Sequence, residues 1–120
     1  MVVVAGILVG LVALVHVYIV ALEMFLWQRP RTRRAFGLDE ATARVTAPLA
    51  ANQGLYNGFL AAGLIWSLIA DDPVGFQVRV FFLCCVMVAG LYGAATASRR
   101  ILLVQFAPAA VALVTALLAR

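Results

Sequence analysis

A histidine and a glutamate stand seven residues apart inside the first long apolar stretch of the chain, "HVYIVALEMFLW", residues 16–27. Seven residues are two helical turns, so His16 and Glu23 share one helix face. A second polar set, Asn52, Gln53, Tyr56 and Asn57, falls at i, i+1, i+4 and i+5 of "NQGLYNGF", again on one side of a helix. Amides and a phenol can orient a ligand, whereas a carboxyl and an imidazole can also exchange protons. Glu23 is thus the candidate ionisable anchor or acid/base, and His16 a secondary proton acceptor. A carboxylate or imidazole facing lipid costs on the order of 3 kcal/mol at mid-bilayer, which predicts that both point into a bundle and have partners there.

That argument presumes a bilayer, and composition supplies it. Of 120 residues, 66% are hydrophobic and only 12% charged, and the mean hydropathy is +1.08. Soluble domains carry an apolar share nearer half. Four apolar segments, at about 2–27, 48–70, 76–97 and 101–118, each approach the ~20 residues that cross ~30 Å of hydrocarbon as a helix. Lipid cannot satisfy loose backbone polar groups and nothing alternates as barrel strands do, so the expected fold class is all-α. Short connections force neighbouring helices to lie antiparallel. The expectation is one membrane domain over 1–120, an integral membrane four-helix up-down bundle. The first segment starts without basic residues, is long for a signal peptide and is followed by arginines, so it reads as a retained span.

All nine basic residues are arginines. Arg29, Arg31, Arg33, Arg34 and Arg44 cluster after the first span and Arg99 and Arg100 after the third, whereas the middle connection holds Asp71, Asp72 and only Arg79. The positive-inside bias then puts connections one (28–47) and three in the cytoplasm, an N-out/C-out arrangement. Juxtamembrane "RPRTRR" pairs with anionic headgroups, so the net charge of +4 calls for no nucleic acid. Pro30 is expected to stop the first helix and Gly37 to break the chain again. Asp39 suits an N-cap. Pro48 fits either the first turn of span two or the interior of a helix running on from Asp39.

If Trp27 and Pro48 lie at one depth, Glu23 falls level with Asn52 and Gln53, and His16 nearer Asn57. Tyr92 and Thr96 near the inner end of span three, and Gln105 near the inner start of span four, bring further polar groups to the same half. Arg44, Arg99 and Arg100 could engage an anionic group there. Trp27, Trp66 and Phe36 read as interfacial anchors. Gly54, Gly58 and Ala62 form a small-residue stripe suited to close helix contact within the bundle or between protomers. Adjacent Cys84 and Cys85 read as buried thiols, and a single histidine cannot build a multi-histidine metal centre, so no metal site is expected. No G-x-S-x-G, P-loop, H-E-x-x-H or dinucleotide fingerprint occurs.

With its four-span layout, "LEMFLW" and "NQGLYNG", the chain resembles domain-of-unknown-function family 1304 over essentially its whole length. The resemblance implies a small multi-pass protein of the bacterial cytoplasmic membrane and no particular activity. In layout it is also similar to the membrane-associated proteins of eicosanoid and glutathione metabolism. "RVTAPLAANQGLY" places Arg44, Asn52 and Tyr56 much as their second span does, while Leu55 stands where they carry an acidic residue. That similarity implies sites in the cytoplasmic half and trimeric assembly. The expected function is binding of a small amphipathic or lipophilic molecule in a cytoplasmic-side polar cavity by a homo-oligomer, dimer or trimer. Alternatives are a glutathione-dependent transferase or isomerase, a proton-coupled carrier and a structural subunit. The cofactor, if any, is unknown.

Overall fold

The computed structural model describes residues 1–120 as helices and turns, with no strand. In chain order come α1 (Val2–Met24), α2 (Pro30–Phe36), α3 (Glu40–Ile69), α4 (Val74–Thr96) and α5 (Ala107–Leu118), the last entered through a π-helical turn at Leu102–Phe106. The fold is all-α, as expected. Two helices, α1 and α4, are long and apolar enough to cross a membrane. α3 dilutes its apolar half with Glu40, Arg44, Asn52 and Gln53, and the closing stretch Leu102–Leu118 is shorter.

The helix ends follow from local chemistry. α1 stops at Met24, short of the expected 27, because the Ala21 carbonyl accepts from both the Phe25 and the Leu26 N–H at 3.1 Å. That widened last turn loosens the helix before Pro30. Pro30 does more than stop a helix: it opens α2, which the sequence reading missed. At the first helical position its missing N–H costs nothing and its φ is already helical. Gly37 ends α2 in the left-handed region, φ 67°, and the Leu38 N–H returns to the Arg33 carbonyl at 2.8 Å. This is the Schellman arrangement, in which glycine alone escapes a steric penalty. Asp39 then caps α3, its Oδ1 accepting the Thr42 N–H at 2.6 Å. Of the two readings of Pro48, the structure takes the continuous helix, with Pro48 inside α3. At Pro108 the chain solves the same problem differently. A proline ring collides with the carbonyl four residues back, here Val104, and the π turn that closes at the Ala107 N–H to Leu102 carbonyl bond accommodates it.

Two compact units emerge, with α1 and α3 contributing to both. The first comprises Met1–Val15 and Leu60–Arg120. Its core joins Val9, Val12 and Ala13 of α1, Leu64 of α3, Leu83 and Val86 of α4, and Ala109 and Ala112 of α5. α5 turns only alanines inward (Ala109, Ala112, Ala116), so its backbone comes close to its neighbours. α4 packs on both α5 and the π turn. Gly90 marks the tightest place: a Cβ there would lie 2.9 Å from the Phe106 nitrogen. The second unit, His16–Phe59, holds the end of α1, all of α2 and the first two-thirds of α3.

Candidate functional site

Within the second unit the end of α1 runs antiparallel to α3, a pairing that Gly54 makes possible. A Cβ on Gly54 would sit 2.5 Å from Met24 Cγ and 3.1 Å from Glu23 Cβ. One turn further along, the nearest neighbour of such an atom at Gly58 would be Val20 at 3.8 Å, an ordinary contact. The close approach at Gly54 carries Glu23 to Asn57, whose Nδ2 donates to Glu23 Oε1 at 2.6 Å. Asn57 is buried and Glu23 half-buried. So short a bond holds the carboxyl firmly against the buried amide.

This register differs from the expected one, which set Glu23 level with Asn52 and Gln53 and His16 with Asn57. The reason is the slant of side chains. Each Cα–Cβ bond tilts toward its own helix N-terminus, so on antiparallel helices Glu23 and Asn57 lean toward each other across about one turn. Asn52, Gln53 and Tyr56 are exposed. The buried positions of α3 include Ala43, Ala50, Gly54, Asn57, Ala61, Leu64 and Ser67, a stripe spaced by threes, fours and sevens that only the last of the four polar residues joins. His16 is on the same stripe of α1 as Glu23, as expected, and is fully buried. Outside this unit, Tyr92 is 71% exposed, which sets it on the surface of α4. Gln105 is half-buried in the π turn, and Arg99 and Arg100 are exposed between α4 and that turn. Arg44 is exposed on α3.

Beside the Glu23 carboxyl opens a cleft of about 210 Å³, walled by Glu23, Met24, Phe25, Trp27, Gln28, Arg29 and Ala47. Trp27 closes one side: its Nε1 donates to Thr46 Oγ1 at 3.1 Å, and that hydroxyl donates in turn to the Thr42 carbonyl at 2.7 Å. The Phe36 ring rests against the indole, 4.9 Å between centroids. Arg33 Nε donates to the Gln28 carbonyl at 3.2 Å, tying α2 to the turn that carries Arg29. The cleft thus offers a carboxyl held by one amide, a guanidinium and an indole face. Opposite charges flank an apolar wall, a combination that suits the polar end of an amphipathic molecule. The sequence reading has Trp27 as an interfacial anchor and Arg29 as a topology and headgroup residue, neither as part of the site. The i, i+4 relation of Glu23 and Trp27 was the available signal.

The comparisons with known proteins agree with one another. The family model described as protein of unknown function, DUF1304, matches residues 10–117. A relative from Lactococcus lactis subsp. lactis (strain IL1403), described as uncharacterized protein YpaA, is 36% identical over 107 residues, which cover 88% of this chain and 89% of the relative. No solved structure matches. A match over residues 10–117 takes in all of the second unit, most of the first and every residue of the Glu23 cleft, and the chain belongs to the DUF1304 family.

Proposed function

We propose that the protein is a single multi-pass membrane domain, four helices crossing the bacterial cytoplasmic membrane with both termini outside, that binds a small amphipathic molecule at the cytoplasmic end of α1. Exposed apolar surface supports the membrane reading. Only 28% of the most apolar stretch of α1 and 22% of that of α4 is buried, although both have a high mean hydropathy. Residues such as Leu14, Phe81, Val88 and Leu103 are more than half exposed, which is ordinary against hydrocarbon and costly against water. The arginines of α2, beside the cleft, favour the cytoplasmic side for this end.

One observation carries the binding reading: the Glu23 carboxyl, fixed by Asn57, forms a wall of a cleft that Trp27 and Arg29 also line. In this reading Glu23 receives the hydrogen-bonding or cationic part of the ligand, Arg29 an anionic or carbonyl part, and Trp27 supports the start of its apolar chain. Asn57 positions Glu23 without meeting the ligand. Native mass spectrometry of protein gently extracted from its own membrane tests it. A defined small molecule should accompany wild type and Leu49→Ala, whose side chain is exposed, and be lost from Glu23→Gln and Trp27→Ala. No adduct on wild type would refute the binding reading and leave the Glu23–Asn57 pair as a structural tie between helices.

A further inference from the structure

Away from that cleft, α4 carries a charge on its inward stripe. Gly75, Leu83, Val86 and Gly90 are buried, and Arg79 falls four residues after the first and four before the second. Its Nη2 donates to the Ser67 carbonyl at 3.2 Å. Ser67 lies in the last turn of α3, where carbonyls lack helical donors, so this bond caps a helix end. Capping uses one of five guanidinium N–H groups. Arg79 Nε is buried with no hydrogen-bond partner, and an unpaired buried donor on a charged group is a cost that nothing in the chain offsets.

Arg79 lines a cleft of about 180 Å³ that Asp72, Phe76 and Arg120 also line. The Arg120 guanidinium lies over the Phe76 ring, 4.8 Å from its centroid, which fixes the plane of the group and leaves its N–H edges for another partner. Asp72 is the one carboxylate side chain in the wall. Its Oδ1 accepts the Phe76 N–H at 3.1 Å at the start of α4, and it forms no ion pair with either arginine. The two guanidinium groups present planar forks of N–H donors that match the oxygens of a phosphate.

We propose that this cleft binds an anionic phosphate group, held by the terminal guanidinium N–H groups of Arg79 left over by the Ser67 carbonyl and by those of Arg120. The phosphate belongs either to a lipid headgroup or to a free anion. The site lies wholly within the first unit and does not depend on the Glu23 reading. The full chain, purified in a neutral detergent, is titrated with inorganic phosphate by calorimetry, and separately reconstituted in vesicles of mixed phosphatidylglycerol and phosphatidylcholine for native mass spectrometry. Loss of one charge-assisted bond should weaken binding about tenfold in Arg120→Gln and in Arg79→Lys. Saturable uptake of inorganic phosphate, weakened in the variants, identifies a free anion. Retained phosphatidylglycerol without phosphate uptake, weakened in the same way, identifies the headgroup. If neither probe binds, or both variants bind as wild type does, the site does not exist. Should Arg79→Lys unfold through loss of the α3 cap, the exposed Arg120→Gln decides alone.

Discussion

The bond between Glu23 and Asn57 makes a quantitative prediction that a double-mutant cycle can read. Alanine at either position keeps the Cβ and so preserves the packing of Glu23 Cβ near Gly54. The bond itself is 2.6 Å, and its asparagine is buried. In soluble proteins a hydrogen bond contributes about 0.5–1.5 kcal/mol, and about 1.5–3 kcal/mol where one partner is charged. Cycles in membrane proteins average about 0.6 and reach about 1.7 kcal/mol, because the unfolded reference still finds partners in lipid. Glu23 is half-buried and its cleft is open, which moves the expectation below the range for a charged partner. The coupling energy should be about 1 kcal/mol, above the membrane mean because the bond is short and its donor buried.

Asn57→Ala alone should cost more than the coupling, since it also leaves a small cavity on the buried stripe of α3. Glu23→Gln should cost less, because its amide oxygen still accepts from Asn57 Nδ2. Equilibrium unfolding of wild type, Glu23→Ala, Asn57→Ala and the double variant, followed by helical circular dichroism during titration of sodium dodecyl sulfate into mixed micelles, gives all four corners. A coupling below about 0.3 kcal/mol, within the additivity expected of independent sites, would refute the bond as the tie between α1 and α3.

Gly54→Ala and Gly58→Ala gain the same helix propensity, about 1 kcal/mol, yet only the first meets Met24 Cγ at 2.5 Å. In the same unfolding assay Gly58→Ala should be neutral to stabilising and Gly54→Ala destabilised relative to it by about 1–3 kcal/mol; equal values would disprove the close approach. Trp27→Phe removes the 3.1 Å bond to Thr46 and should cost about 1 kcal/mol, a loss that Thr46→Val repeats without adding to it. The Thr42 N–H and then its hydroxyl hold the Asp39 carboxyl below the usual carboxylate range, so the cap is fully present above pH of about 3.9, the unfolded value, and is lost as pH falls through the lower folded one. The Thr42 amide resonance should accordingly titrate with a midpoint under about 3.9, and a midpoint at or above that value would exclude the cap.

Much of this fold was legible because single residues dictate it. Gly37 and Asp39 each favour one local outcome, a helix end and a helix cap, and the long apolar stretches allow only helices. α2 was hidden for the opposite reason: seven residues, four of them Pro or Arg, carry no apolar period, and Pro30 reads equally as a stop or as a first helical position. The register of α1 on α3 was hidden as well, because matching depths from Trp27 and Pro48 assumes side chains that project straight out from the axis. They slant, by opposite amounts on antiparallel helices, and a polar pair therefore meets across a level difference that depth counting forbids.

The choice of Asn57 over Asn52 follows from the same geometry. Asn52, Gln53, Tyr56 and Asn57 spread over about 140° of helix at ~100° per residue, too wide for all four to enter one interface. What selects among them is the small residues, since α1 comes closest at Gly54 and Asn57 is the polar residue on the buried line of Ala50, Gly54 and Ala61. Polar residues in an apolar helix show that a partner is needed; the alanines and glycines beside them decide which one meets it. By that rule Glu23 was always the better signal than the amides, because its own neighbours on the stripe, Val20 and Met24, are the residues that pack against Gly58 and Gly54.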